Sequence, residues 1–176
     1  MLIECDADTY LSYIKDDPVR KGLFDDESVR FKGNFRVFAD IDKSGFDTVV
    51  NAIVCVVISP TVPHSEQALR FIQEAGEELN DEWEKFEREL LERSFGLVLC
   101  PYSLWSYNKG AGRRLINNLL EAVPVMYPKV QGVITMSPKT DMAMKFHLGN
   151  GAEIMEVNPE TINYLYDLSD NDVTVH

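Results

Sequence analysis

Ser137 and His147 are the residues of this chain whose types and spacing best suit acid–base chemistry. Ser137 ends a short apolar run, Val130-Gln131-Gly132-Val133-Ile134-Thr135-Met136, that is rich in β-branched residues and stopped by Pro138, the pattern of a buried strand. His147 falls in the last turn of an expected helix over residues 139–148, which carries Met142, Ala143 and Phe146 and is stopped by Gly149-Asn150-Gly151. A strand end and a helix end can bring hydroxyl and imidazole to one edge of an α/β fold, where ligands usually bind. An imidazole with a near-neutral pKa can hold or release a proton there. The same position more often holds a histidine that interacts with the helix macrodipole and does no chemistry.

A second constellation is Asn108-Lys109-Gly110-Ala111-Gly112-Arg113-Arg114. It follows an expected buried strand, Phe95 to Cys100, and an expected aromatic loop, Tyr102 to Tyr107. It opens a helix whose apolar spacing is set by Leu115, Ile116, Leu119 and Leu120. Glycines let backbone N–H groups approach a ligand closely, and a helix start leaves donors and partial positive charge. Lys109, Arg113 and Arg114 add three cations in an otherwise acidic chain, so the loop reads either as a pyrophosphate site or as an ordinary helix start containing glycine. It is not a dinucleotide fingerprint, which needs a third glycine and a later acidic residue, nor an NTPase phosphate loop, which needs Gly-Lys-Ser/Thr.

The elements that must position these groups fit one domain of 176 residues, with 45% hydrophobic residues to supply a core. A short helix is expected over residues 7–16, capped by Asp6, and a loop through Pro18 and Asp25-Asp26-Glu27. A strand is expected over Phe35 to Ile41, with a turn at Asp42-Lys43-Ser44-Gly45. Val49 to Ile58 is almost uniformly apolar and reads as a central strand. Ser65 to Arg93 reads as helix, broken near Gly76 and Asn80-Asp81. Strands near Glu153 to Val157 and Thr161 to Leu168 follow, and the tail from Ser169 to His176 reads as frayed. The formal charge of −12 argues against a nucleic-acid partner. No apolar run approaches membrane-spanning length, and the first residues lack a leader pattern, so a cytoplasmic protein is expected. Cys5, Cys55 and Cys100 are odd in number and lack metal spacing, which fits reduced, packed thiols and no metal.

The order of these elements, with Lys109-Gly110-Ala111-Gly112 before a helix and Ala143-x-x-Phe146-His147 on the last one, resembles the GNAT superfamily of acyl-CoA-dependent enzymes. Thr135-x-Ser137-Pro138, Phe146-His147-Leu148-Gly149-Asn150-Gly151-Ala152 and Asn163-Tyr164-Leu165-Tyr166-Asp167-Leu168 are similar to the catalytic domain of the malonyl-CoA decarboxylase family, itself of GNAT fold. The resemblance spans roughly residues 35–168. It implies a single α/β domain of α+β type, with a mixed, mostly antiparallel sheet, helices on both faces and a helical insertion at about 65–93. It further implies coenzyme A or an acyl-CoA bound as substrate by Leu99, Cys100, Asn108, Lys109, Gly110, Ala111, Gly112, Arg113 and Arg114. Ser137 and His147 would be the catalytic pair and Tyr166 a supporting hydroxyl. Tyr107 stands where the superfamily usually has Gln or Arg, and His147 where it usually has a tyrosine acid. The family's preceding helical domain and its long insertion between the serine and the histidine helix are missing. The activities implied are decarboxylation of malonyl-CoA, acyl transfer from coenzyme A to an amine or thiol, or non-catalytic acyl-CoA binding, with a homo-oligomer possible.

Overall fold

In the computed structural model, which describes residues 1–79 and 96–168, the almost uniformly apolar run becomes the longest strand among the described residues, β3, over Asp47–Ser59. It pairs antiparallel with β2, Phe35–Ser44, through a hairpin closed at Gly45, whose φ of 63° needs a residue without Cβ. The turn narrows to Gly45-Phe46, at the end of the expected Asp42–Gly45, because both strands run on past the core as an exposed hairpin arm. β1, Leu2–Glu4, adds to the other edge of β2 and was not expected, being too short to show a pattern.

On its far side β3 pairs with β4, Leu97–Ser106. The residues expected as an aromatic loop after Pro101 are therefore strand. Proline has no N–H to donate, and it is tolerated here because the ladder is already irregular: Val56 faces Pro101 while Cys55 faces Ser103, leaving Tyr102 as an extra, bulged residue. β4 and β5, Val130–Ile134, run parallel, whereas the other strand pairs are antiparallel. The expected strand over 130–136 is interrupted at Thr135 and Met136 and resumes as β6, Ser137–Pro138. β5 and β6 lie end to end along one edge of β8, Thr161–Tyr166, and β7, Glu153–Val157, lies along the other.

Alternation along β2 and β3 sends Val37, Ala39, Ile53, Cys55 and Val57 to one face and Phe38, Ala52, Val54 and Val56 to the other. The first face is covered by α1, Ala7–Ile14, by a 3-10 turn at Glu27–Phe31, and by Leu69 of α2, Glu66–Leu79. α2 runs unbroken through Gly76, where a break was expected, and its expected continuation to Arg93 lies outside the described residues, as do Phe95 and the tail from Ser169. The second face is covered by α3, Ala111–Met126, through Leu115, Ile116, Leu119 and Val123, and by α4, Asp141–Gly149. The result is a mixed, mostly antiparallel sheet of eight strands with helices on both faces, as the sequence led one to expect. Among the described residues no helix is long and apolar enough to cross a membrane.

Candidate active site

α4 is capped at its start by Thr140, whose hydroxyl accepts from the Ala143 N–H at 3.2 Å. At its end Gly151, at φ 91°, turns the chain back so that the Ala152 N–H caps the His147 carbonyl at 3.0 Å, and Asn150 Nδ2 donates to the Phe146 carbonyl. This fixes His147 on the last turn with its ring inside the fold. Its Nε2 is 2.9 Å from Ser137 Oγ on β6, and its Nδ1 is 2.8 Å from Tyr166 Oη on β8. Ser137 Oγ is in turn 2.9 Å from Thr135 Oγ1, which accepts from the Tyr164 N–H at 3.3 Å. Tyr164 stacks on the imidazole at 4.7 Å, and Phe146 and Tyr166 meet it edge-on.

The ring is held by neutral groups alone, and burial pushes the His147 pKa down from its ordinary value to about 4. It is therefore uncharged at neutral pH, which removes the reading of His147 as a helix-capping cation. Burial likewise pushes the Tyr166 phenol up, so it stays protonated. Each member of the line from Tyr166 through His147 and Ser137 to Thr135 is both donor and acceptor, so the protons can run in either direction along it. Such a line can give Ser137 a donor aimed outward or leave His147 Nε2 as an acceptor, without any separated charge.

Ser137 and His147 stand in the wall of a cleft of about 400 Å³ between the diverging ends of β4 and β6. The rest of the wall includes Leu104, Trp105 and Ser106 of β4, Ile116, Met142, Ala143 and Phe146 of α4, and Pro18 and Val19. None of the lining residues is a Lys, Arg, Asp or Glu, so the cleft is an apolar passage with hydroxyls and one imidazole in its wall. Its reach toward α3 follows from packing: a Cβ on Gly112 would meet Ser106 Oγ at 3.2 Å, Leu104 Cδ2 at 3.3 Å and Phe146 Cε2 at 3.6 Å, three residues of the wall.

Gly110 caps α3 from the left-handed region, at φ 81°, and no side chain caps this helix end. Of the first-turn N–H groups, which a helix leaves without an intrahelical carbonyl, that of Ala111 meets the Asn108 carbonyl at 3.2 Å, and Gly112 packs against residues of the cleft wall. Lys109 and Arg113 are exposed and form no ion pair among the described residues, whereas Arg114 pairs with Asp40 at 3.1 Å. Asn108 Nδ2 donates to Asn51 Oδ1 at 2.6 Å, which ties the loop to β3. Ala111 is buried at the helix start. Leu99 and Cys100 are fully buried within the sheet and do not line the cleft, and burial pushes the Cys100 thiol up. Tyr107 turns away, donating to Asp16 Oδ2 at 2.8 Å. Among the described residues no cluster of His, Cys, Asp and Glu is arranged to hold a metal ion.

Sequence reasoning missed Thr135 as part of the line and the polar unit that closes the cleft from behind, Asp17, Arg20 and Arg30. Asp17 Oδ1 accepts from Ser103 Oγ at 2.6 Å and from the N–H groups of Val19 and Arg20, while Oδ2 pairs with the fully buried Arg30 at 2.7 Å. Arg30 also binds Glu27 and donates to the Arg20 carbonyl. Charged residues spaced along a loop carry no local signal of such pairing.

No protein-family model matches this sequence, and no curated protein matches it. Solved structures do. Malonyl-CoA decarboxylase from Agrobacterium vitis aligns at a TM-score of 0.62 and 15% identity, over 99% of this chain and 63% of that one. Arabidopsis thaliana NAA60 in complex with acetyl-CoA aligns at 0.58 and 14%, over 96% and 98%. The chain has the GNAT fold. A further structure of this fold, the KacTA–DNA complex, aligns at 0.58 and 11% identity over 98% of this chain and 96% of that one. The chain thus spans under two thirds of the decarboxylase and nearly the whole of the other two.

Proposed function

We propose that this GNAT-fold chain is an acyl-CoA enzyme whose cleft decarboxylates malonyl-CoA or a related 2-carboxyacyl-CoA. The observation that carries the reading is the neutral Ser137–His147–Tyr166 line, which reaches a cleft with no charged lining through Ser137 and His147. In the reaction the bond between the carboxylate carbon and the adjacent carbon breaks, CO2 leaves, and the electron pair moves onto the thioester oxygen as an enolate. Hydrogen-bond donors aimed at that oxygen stabilise it, and a proton then reaches the carbon to give acetyl-CoA. In this reading His147 Nε2 donates to Ser137 Oγ, which frees the Ser137 hydroxyl to donate to the enolate oxygen, and the proton that the carbon takes up comes finally from solvent water. An apolar passage favours loss of a charged carboxylate as neutral CO2.

The pyrophosphate of coenzyme A would sit on the N–H groups of the first turn of α3, flanked by Lys109 and Arg113, with the pantetheine running along the cleft beside Gly112. Acyl transfer to an amine is the second reading, favoured by the near-complete overlap with NAA60. It demands a base for an amine that arrives protonated, and an imidazole with a pKa of about 4 is a weak one. The test is incubation of purified protein with malonyl-CoA and no acceptor. Release of CO2 and acetyl-CoA by the wild type, and not by folded Ser137→Ala, is expected. Malonyl-CoA that binds and survives, alongside acetyl transfer to an added amine, overturns decarboxylation in favour of transfer.

A further inference from the structure

β4 and β5 pair only as far as Leu99 and Val133; one further bond, from the Met136 N–H to the Pro101 carbonyl at 2.9 Å, follows before the strands part. The parting starts at the bulge that makes Tyr102 an extra residue on β4. At this point two carbonyls, one on β4 and one in the break between β5 and β6, accept from the same side chain. Arg20 Nε donates to the Tyr102 carbonyl at 3.3 Å and Arg20 Nη2 to the Met136 carbonyl at 3.2 Å. The third nitrogen, Nη1, reaches Glu66 on α2 at 3.2 Å. The buried guanidinium is set in place by its own backbone, since Asp17 accepts from the Arg20 N–H and Arg30 donates to the Arg20 carbonyl.

We infer that Arg20 is a positioning residue: a guanidinium wedge that holds β4 and β6 apart and, through the Met136 carbonyl, fixes Ser137 Oγ against His147. The Met136 carbonyl belongs to the peptide plane that leads into Ser137, so a donor that pins it also sets the direction from which the serine hydroxyl projects. The planar, five-donor fork of Arg can hold two carbonyls and a carboxylate at once; the single ammonium of Lys cannot span the same triangle. Removing the fork leaves two buried carbonyls without their donor, and the strands relieve this by shifting toward each other or by admitting water.

The experiment uses the full chain with 15N-labelled histidine, in wild type, Arg20→Met and Arg20→Lys. The chain has three histidines, and the resonances of His147 are assigned with His147→Gln. The wild-type ring should show the shifts of a neutral imidazole with both nitrogens hydrogen-bonded. In both Arg20 variants, folded by circular dichroism, the Nε2 resonance should move away from its hydrogen-bonded position as Ser137 Oγ is released, while Nδ1, still held by Tyr166, moves less. A second arm rests on the function proposed above: turnover of the thioester that the wild type consumes should fall by about 100-fold in kcat, the scale of a misplaced reacting group, with KM little changed. Ring resonances identical to wild type in a folded Arg20 variant would overturn the inference whatever the substrate proves to be. So would failure of both variants to fold, which would make Arg20 a residue of the fold alone. Moved resonances in a protein that turns over no thioester would sustain the wedge and count against the function.

Discussion

Acidification should destabilise this protein through His147, by an amount that can be worked out. The imidazole is buried, its ring meets Tyr164, Tyr166 and Phe146, both nitrogens are engaged by hydroxyls, and its pKa is about 4 against an ordinary 6.5. Between those values the unfolded chain binds a proton that the folded chain refuses, so stability falls as pH falls through this window and is fully retained above it. The depression corresponds to about 2 to 3 kcal/mol lost at pH 4.5 and almost nothing at pH 7. The assay is urea unfolding of the wild type and of His147→Gln at both pH values. Glutamine does not titrate in this window, so the variant lacks this component while sharing the contribution of every carboxylate. The gap between the two proteins should therefore close by about 2 to 3 kcal/mol as the pH drops. A gap that stays constant from pH 7 to pH 4.5 would refute the claim that the ring is held neutral by burial, and with it the uncharged proton line.

Three other substitutions follow from the same geometry. Tyr166→Phe takes away the partner of His147 Nδ1 in a buried setting and should cost about 1 to 3 kcal/mol in urea unfolding while lowering turnover; an unchanged protein would remove Tyr166 from the line. Arg30→Met strands Asp17 as a buried carboxylate and should cost about 3 to 5 kcal/mol, measured by chemical denaturation. Arg113→Ala should weaken coenzyme A binding by several-fold, about 1 kcal/mol, in calorimetry, with the loss shrinking at high salt and stability unaltered.

The parts of this fold that were legible in the sequence are those whose signal is local. β3 announced itself as a β-branched run, α3 by its spacing after two glycines, and α4 by its apolar positions before the Gly149–Gly151 stop. Ser137 and His147 were singled out from their positions at element ends, and Tyr166 through a motif resemblance; the structure brings these three together around one imidazole. Signals that a proline or glycine ordinarily gives were overridden by tertiary context. β4 continues through Pro101 because a bulge there excuses the missing donor, and α2 continues through Gly76 because a helix penalty of about 1 kcal/mol is too small to break a helix by itself. The Asp17–Arg20–Arg30 unit had no signature at all, since its meaning arises only when a loop between α1 and β2 is folded against the bulge of β4.

The most direct test of the central claim, that an acyl-CoA lies in this cleft with its acyl end at Ser137, is a crystal structure with a non-reactive thioether analogue of malonyl-CoA. The expected result places the pyrophosphate on the N–H groups that open α3, beside Lys109 and Arg113, and the acyl oxygen within about 3 Å of Ser137 Oγ or His147 Nε2. An analogue bound with its acyl end away from both, or with its pyrophosphate elsewhere on the chain, would contradict it.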